Sequence, residues 1–441
     1  MQKGIFIRPE EVQDSLRKFM LVDGFDMTLD LHESKDGYLY DSKGKRHLLD
    51  FFTFVASNPL GMNHPRLNNP EFIEKIGKIA LNKPSLSDIY AHEQATFVDT
   101  FFRVAVPSYF KYSFFIEGGA LAVENTLKAA IDWKVRKNFA KGYKEEKGQQ
   151  IIHFKEAFHG RSGYTLSLTN TDPNKIDYFP KFNWPRVTNP KITFPLNEEN
   201  LKNVIEAEKQ SIKEIKDALV NNKDDIAAII VEPIQGEGGD NQFRKEFFMQ
   251  LRQICNENEI LLIFDEVQTG IALTGKMWAH QHFVKPDLIS FGKKTQVCGI
   301  LSTDKIDEIE ENVFRKPGRI NSTWGGNIVD MVRFQRILEI IEEEDLVKNC
   351  ELMGIHLQRE MNKLSEKYPD KVMSCRGLGL FAAFDTKDAD MRGKIMQKSV
   401  DNGMLILGCG AKSIRFRPPI TVTKELIDEG MKILDKVLSQ L

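Results

Sequence analysis

Short apolar runs recur through the middle of the chain at 112–116 (YSFFI), 151–154 (IIHF), 226–231 (IAAIIV), 260–264 (ILLIF) and 287–291 (DLISF). Stretches with helical periodicity separate several of them, notably 120–139 and 243–257. Runs of this length suit strands buried on both faces, and strands alternating with helices build a mostly parallel sheet covered on both sides, an α/β fold. After about residue 327 the pattern changes to long helical stretches, 327–344 and 346–367, then short strands and a closing helix at 424–440. That change predicts a second, smaller α+β domain. The first 70 or so residues contain a helix start after Arg8-Pro9 and short strands near 38–40 and 47–52, and are expected to pack with the small domain. The expected units are therefore 1–75, 76–327 and 328–441 of a 441-residue chain. That division agrees with a prior of roughly 150 residues per domain.

Composition narrows the function classes. Lys plus Arg total 61 against 63 Asp plus Glu, a net charge of −2, so no sequence-wide field favours nucleic acid or anionic lipid. Charged residues interrupt the first fourteen positions before a signal-peptide core could develop, and nowhere does an uncharged apolar run reach the roughly 18 residues of a spanning helix. Cys255, Cys298, Cys350, Cys375 and Cys409 are odd in number and never spaced as CxxC, which suits free thiols in a reducing cytoplasm. Without a secretory route, the sequon Asn321-Ser322-Thr323 carries little weight. The expectation is a soluble cytoplasmic protein that binds neither nucleic acid nor membrane.

Two decoys fall away on chemistry. Gly270 to Lys276 (GIALTGK) matches the opening of a phosphate-binding P-loop, but Met277 stands where Ser or Thr must hold Mg²⁺. His280 and His282 lie two apart with no HExxH or Cys/His cluster, so they read as surface or structural histidines, and no metal is expected. No GxSxG elbow is present either.

The informative stretch is Ile260 to Lys294. One apolar strand delivers Asp265 and Glu266 at its C-terminal end, and a second delivers Lys293 and Lys294; Asp265 and Lys293 are 28 residues apart. In a parallel sheet these ends face the ligand crevice. From spacing alone the pair reads equally well as an acidic turn and a solvated lysine pair. Other strand ends add to it. Glu117-Gly118-Gly119-Ala120 opens a helix whose N-terminus suits a phosphate. Phe158-His159-Gly160-Arg161 supplies a flat ring beside a guanidinium. Glu232 to Gly239 (EPIQGEGG) and Asn321 to Gly326 (NSTWGG) offer further polar turns. Phosphate cradle, stacking ring, carboxylate and amine together are what a pyridoxal 5′-phosphate site requires.

FDEVQTG and PDLISFGK, together with these turns, resemble the class III, fold type I pyridoxal-phosphate aminotransferases over nearly the whole chain. The resemblance implies a large domain with a mostly parallel seven-stranded sheet plus a smaller α+β domain. It implies that Lys293 is the Schiff-base lysine, with Lys294 standing where most members have glycine. Asp265 would pair with the pyridinium nitrogen, Gln268 would contact the ring hydroxyl, and Val267 and Phe158 would sandwich the ring. Gly119 and Ala120 would hold the phosphate, with His159 and Glu232 also at the cofactor. Thr323 would reach the phosphate from the partner subunit, which implies a homodimer.

Within the class, EGGALAVEN, FHGRSGYTLSLTNT, EPIQGEGGDN, FGKKTQVCG and NSTWGGN are most similar to the branch that moves the ε-amino group of L-lysine to 2-oxoglutarate. The products would be glutamate and 2-aminoadipate 6-semialdehyde, which cyclises to piperideine-6-carboxylate. By the same resemblance Arg161 would clamp the α-carboxylate of lysine and Arg415 that of 2-oxoglutarate. Glu237 would cover Arg415 in one half-reaction and leave it in the other, and Asn321 would help hold the lysine end. Arg417 reads as structural. Ornithine or 4-aminobutyrate as amino donor, a mutase, racemase or decarboxylase, and a silent binding protein are the competing readings.

Overall fold

The computed structural model describes residues 6–441; residues 1–5, the start of the first expected unit and of the segment read for a leader, lie outside the described residues. Near the N-terminus β1 (Leu29–Lys35), β2 (Tyr38–Asp41) and β3 (Arg46–Asp50) form an antiparallel meander. The central sheet comprises β4 (Phe110–Ile116), β5 (Gln150–Phe154), β6 (Arg186–Val187), β7 (Ile226–Val231), β8 (Leu261–Asp265), β9 (Leu288–Phe291) and β10 (Cys298–Thr303). Its order is β4-β10-β9-β8-β7-β5-β6, and only β10 runs against its neighbours. Towards the C-terminus β11 (Met373–Leu378), β12 (Phe381–Asp385), β14 (Leu407–Cys409) and β15 (Ser413–Phe416) form an antiparallel sheet. The short β13 (Met404–Leu405) instead pairs in parallel with β3. This is the fold type I arrangement, a seven-stranded, mostly parallel sheet with a smaller sheet beside it.

The five apolar runs are five of the seven central strands. β6 is only two residues long, and β10 (CGILST) mixes glycine and hydroxyl side chains into its run, so neither carries the apolar signature of its neighbours. β7, β8, β9 and β10 are buried at every residue. Their period-two alternation divides them between two cores. Ile229, Val231, Leu262, Phe264, Ile289 and Phe291 face one core, where Phe97, Phe101, Phe247 and Phe248 pack. Ala228, Ile230, Leu261, Ile263, Leu288 and Ile300 face Val123, Leu127 and Trp133 of helix Gly119–Ala140. Each such Val, Leu, Ile or Phe side chain contributes roughly 1.5–3 kcal/mol on burial, so the sheet is a stiff platform for the residues at its edge.

The two ends of the chain are sewn together. Leu49 N donates to Gly403 O at 2.8 Å, Arg417 N donates to Phe51 O at 2.8 Å, and the Phe51 and Phe416 rings meet edge to face at 6.1 Å. Between them Thr53, Phe54, Val55 and Ala56 form a left-handed turn with φ of +40°, +52°, +60° and +62°. Such a turn costs roughly 1–2 kcal/mol per residue. It is held by Asp50, which accepts from Phe52 N and Thr53 N at 3.0 and 2.7 Å, and by Thr53 Oγ1 donating to Arg417 O at 2.8 Å. No helix among the described residues is long and apolar enough to cross a membrane. All five cysteines are free thiols.

Candidate active site

The C-terminal ends of the parallel strands β5, β7, β8 and β9 open onto one cavity of about 300 Å³. It is lined by Gly119, Ala120, Phe158, His159, Arg161, Glu232, Asp265, Val267, Gln268 and Lys293, with Gly160, Ile234 and Thr269 completing the wall. Ten of the fourteen sequence-predicted site residues therefore meet there.

Strand register brings the carboxylate and the amine together. Asp265 lies opposite Ser290 in the β8–β9 pair, and Lys293 follows three residues later. Asp265 Oδ1 accepts from Ser290 Oγ at 3.1 Å and from Val267 N at 3.0 Å, while Oδ2 accepts from His159 Nδ1 at 2.8 Å. Burial alone would lower the pKa of His159, but the hydrogen bond and charge of Asp265 outweigh it and raise it. Glu232 ends its strand by accepting from Phe158 N at 2.9 Å and Gly236 N at 3.1 Å, which fixes the ring residue; burial pushes its carboxyl up to about 7.

The members of each charged pair point in different directions, the acids where β8 ends and the lysines in the short turn Lys293–Thr295 after β9. Glu266 points away from the cavity, where it accepts from Ala279 N, His280 N and His280 Nδ1 at 3.0, 2.7 and 2.9 Å. Lys294 likewise turns inward and donates to Gln268 O at 2.6 Å, and burial drives its pKa far below the usual lysine value. Lys293 alone lines the cavity, on a backbone with φ of +56°. Strain of this kind concentrates at functional sites. Burial and then the charges of Arg415 and Arg417 lower its pKa to about 8.

Beside the cavity, Arg415 is 3% exposed and donates from Nη2 to Glu237 Oε2 at 2.9 Å. Its Nε and Nη1 are buried without a partner. Glu237 Oε1 accepts from Lys175 Nζ at 2.6 Å. Burial would raise the Glu237 pKa, but the two cations hold it below the usual carboxylate value. Arg417 is fully buried: it donates to Asp240 at 2.9 and 2.6 Å and to Gln268 Oε1 at 3.2 and 2.9 Å, and its guanidinium lies 3.5 Å from the centroid of Phe381. Asn321 and Thr323 are not in the cavity. They are exposed on the turn whose Trp324 O accepts from Glu117 N at 3.3 Å.

The residues fit pyridoxal 5′-phosphate. Helix Gly119–Ala140 begins where Ala122 N donates to Gly118 O, so the N–H groups of Gly119, Ala120 and Leu121 have no intrahelical acceptor. A Cβ on Gly119 would stand 3.0 Å from Val267 Cγ1, so a side chain there would crowd Val267 in the cavity wall. The pinned carboxylate, the ring residue and the partly neutral amine complete the donor set. Sequence reasoning missed three supports: the His159–Asp265 bond, the Arg417–Asp240–Gln268 network and Lys175. His159, Asp265 and Gln268 had been read as cofactor residues and Arg417 as structural, but their bonds to one another were not foreseen; nothing in the sequence distinguishes Asp240 or Lys175.

This fold, with this site at the carboxyl edge of its sheet, is that of an aminotransferase. The sequence pattern of the aminotransferase class-III family matches residues 21–438, and the chain belongs to that family. Within it, the chain is 47% identical over 432 residues to an L-lysine-epsilon aminotransferase of Mycobacterium tuberculosis, covering 98% of this chain and 96% of that one. A solved lysine aminotransferase from M. tuberculosis in the internal aldimine form superposes with a TM-score of 0.96 at 46% identity, covering 98% of this chain and all of that one. The human mitochondrial 4-aminobutyrate aminotransferase is 31% identical, covering 94% of this chain and 85% of its own.

Proposed function

We propose that this aminotransferase moves the ε-amino group of L-lysine to 2-oxoglutarate, giving 2-aminoadipate 6-semialdehyde, which cyclises to piperideine-6-carboxylate, and L-glutamate. The observation that carries the reading is Arg415, a buried guanidinium with two unpartnered nitrogens, covered by the carboxylate of Glu237. One pocket must accept an amine at the end of an apolar stem and then a keto carbon flanked by a carboxylate. With Glu237 on Arg415 the cation is neutralised and the stem of lysine can pass. With Glu237 away, Arg415 can bind the α-carboxylate of 2-oxoglutarate. Arg161, exposed at the edge of the cavity, would hold the α-carboxylate of lysine, and Asn321 would help hold that end.

Pyridoxal 5′-phosphate would be held by Gly119 and Ala120 at its phosphate, Phe158 and Val267 at its ring faces, Asp265 at its nitrogen and Gln268 at its hydroxyl. Bound there it supplies an electron sink for the carbon that loses its proton. Lys293, with a pKa lowered to about 8, is partly neutral near that pH and can take that proton and return it. Asp265 would keep the ring nitrogen protonated, with its own oxygens oriented by His159 and Ser290. Ile234 and the backbone of Gly160 help to close the wall against water.

A homodimer in the cytoplasm completes the reading, with Thr323 reaching the phosphate of the partner's site. Supporting this, Leu121 and Trp324 flank the phosphate cradle with 40% and 42% of their surfaces exposed, and Thr323, next to Trp324 in the chain, is exposed as well.

The test is a single-turnover spectrum of the cofactor-loaded protein. L-lysine alone should bleach the visible band, 2-oxoglutarate should restore it, and 2-aminobenzaldehyde should detect the cyclic imine. Bleaching by ornithine or 4-aminobutyrate with no response to lysine would overturn the substrate while leaving the reaction class in place.

A further inference from the structure

Glu237 belongs to the wall of a second cavity, of about 470 Å³, that shares no lining residue with the cavity of Lys293. Thr171, Asp172, Lys175, Arg392 and Cys409 also line it. Thr171 Oγ1 is buried there without a hydrogen-bond partner. Arg392 donates to Gly410 O at 2.7 Å, and Asp172, the one other carboxylate of the cavity, is engaged by Asn174 N at 3.0 Å. Lys175 reaches in from the short turn Pro173–Lys175, with Nζ 2.6 Å from Glu237 and 5.5 Å from the centroid of the Phe158 ring. Its side chain is 24% exposed, that of Arg415 only 3%.

A carboxylate shared by two cations is compensated by either, and the cations repel each other across it. When an incoming carboxylate takes Arg415, Glu237 loses one partner and needs the other. Lys175 has a long flexible stem and can follow the carboxylate; Arg415 is packed in the interior and cannot. Lys175 thus stabilises the released position more than the shared one, and only such a difference shifts an equilibrium. The cavity beyond offers the unpartnered Thr171 hydroxyl and the Arg392 guanidinium.

We propose that Lys175 is a positioning residue that receives Glu237 when the keto acid occupies Arg415, with the Thr171–Arg392 cavity as the second seat of that carboxylate. The proposal rests on the reading of Glu237 as a movable cover of Arg415.

The test compares the cofactor-loaded wild type with Lys175→Met, Lys175→Arg, Glu237→Ala and the Lys175→Met/Glu237→Ala pair. Two readouts are used: calorimetric affinity for glutarate, an unreactive five-carbon dicarboxylate, and the rates of the separate half-reactions. Lys175→Met should weaken glutarate and 2-oxoglutarate about tenfold, keep the lysine half-reaction within about twofold, and be rescued by Lys175→Arg. Glu237→Ala should tighten glutarate, and adding Lys175→Met to it should change nothing further. If Lys175→Met weakens glutarate equally in the Glu237→Ala background, Lys175 attracts the dicarboxylate directly and the proposal is wrong. Unchanged glutarate affinity in Lys175→Met, beside tightened affinity in Glu237→Ala, also overturns it but leaves the movable cover standing. No change in Glu237→Ala removes the cover itself.

Discussion

Lys293 and Lys294 are neighbours with opposite fates. One faces a cavity with a carboxylate across from it; the other donates a single hydrogen bond to Gln268 O in the interior, where burial favours its uncharged form. Both have lowered pKa values, so lowered pKa does not by itself identify the working lysine; access does. Borohydride reduction of the cofactor-loaded protein followed by peptide mapping should place the label on Lys293. Lys293→Ala should lose it and Lys294→Met should keep it. The pH dependence has a definite sign. Only the neutral amine attacks, so cofactor uptake by the stripped protein, followed by absorbance, should accelerate as pH rises towards about 8 and level off above it. A rate indifferent to pH across that range would mean that Lys293 is not held as the geometry describes.

At the scale of elements, the cradle depends on how strand β4 hands over to helix Gly119–Ala140. Gly118 makes the bend at φ of +95°, and a Cβ there would meet nothing within 4 Å. The penalty of Gly118→Ala is therefore backbone strain, on the order of 1–3 kcal/mol. Carried into the phosphate turn, that should weaken cofactor affinity by about tenfold, measured by equilibrium dialysis, with little change in half-reaction rates at saturation. Gly236 works differently: a Cβ would fall 2.6 Å from the Gln268 amide, so its absence is what lets the turn after β7 close on the turn after β8. The strands themselves were legible because a sheet buried on both faces needs unbroken apolar runs. The left-handed turn at Thr53–Ala56 was not, since its residues include the β-branched Thr53 and Val55, and it persists through Asp50 and the carbonyl of Arg417, hundreds of residues apart in the chain.

For the whole molecule, the proposed exchange of Thr323 between subunits can be checked by complementation. Thr323→Ala chains keep Lys293, and Lys293→Ala chains keep Thr323, so a hybrid dimer would contain one site with both. Co-expressed chains should show activity well above that of either homodimer. Hybrids no more active than Thr323→Ala alone would place the Thr323 contact within its own subunit or nowhere.

What the sequence determined by itself was everything that depends on local pattern and residue chemistry. The alternation of apolar strands and helical stretches specified a mostly parallel sheet, and FDEVQTG and FGKK put a carboxylate and an amine at neighbouring strand ends. Tertiary structure alone decided which member of each charged pair, Asp265 or Glu266 and Lys293 or Lys294, enters the cavity, because the groups that hold Glu266 and Lys294 away from it, the N–H groups of Ala279 and His280 and the carbonyl of Gln268, come from other parts of the chain. It also decided the partners that set the electrostatics, His159 on Asp265, Arg417 on Gln268 and Lys175 on Glu237. These contacts join residues 62 to 149 positions apart. Charge compensation at hydrogen-bond distance is a property of space, and nothing in the local sequence encodes it.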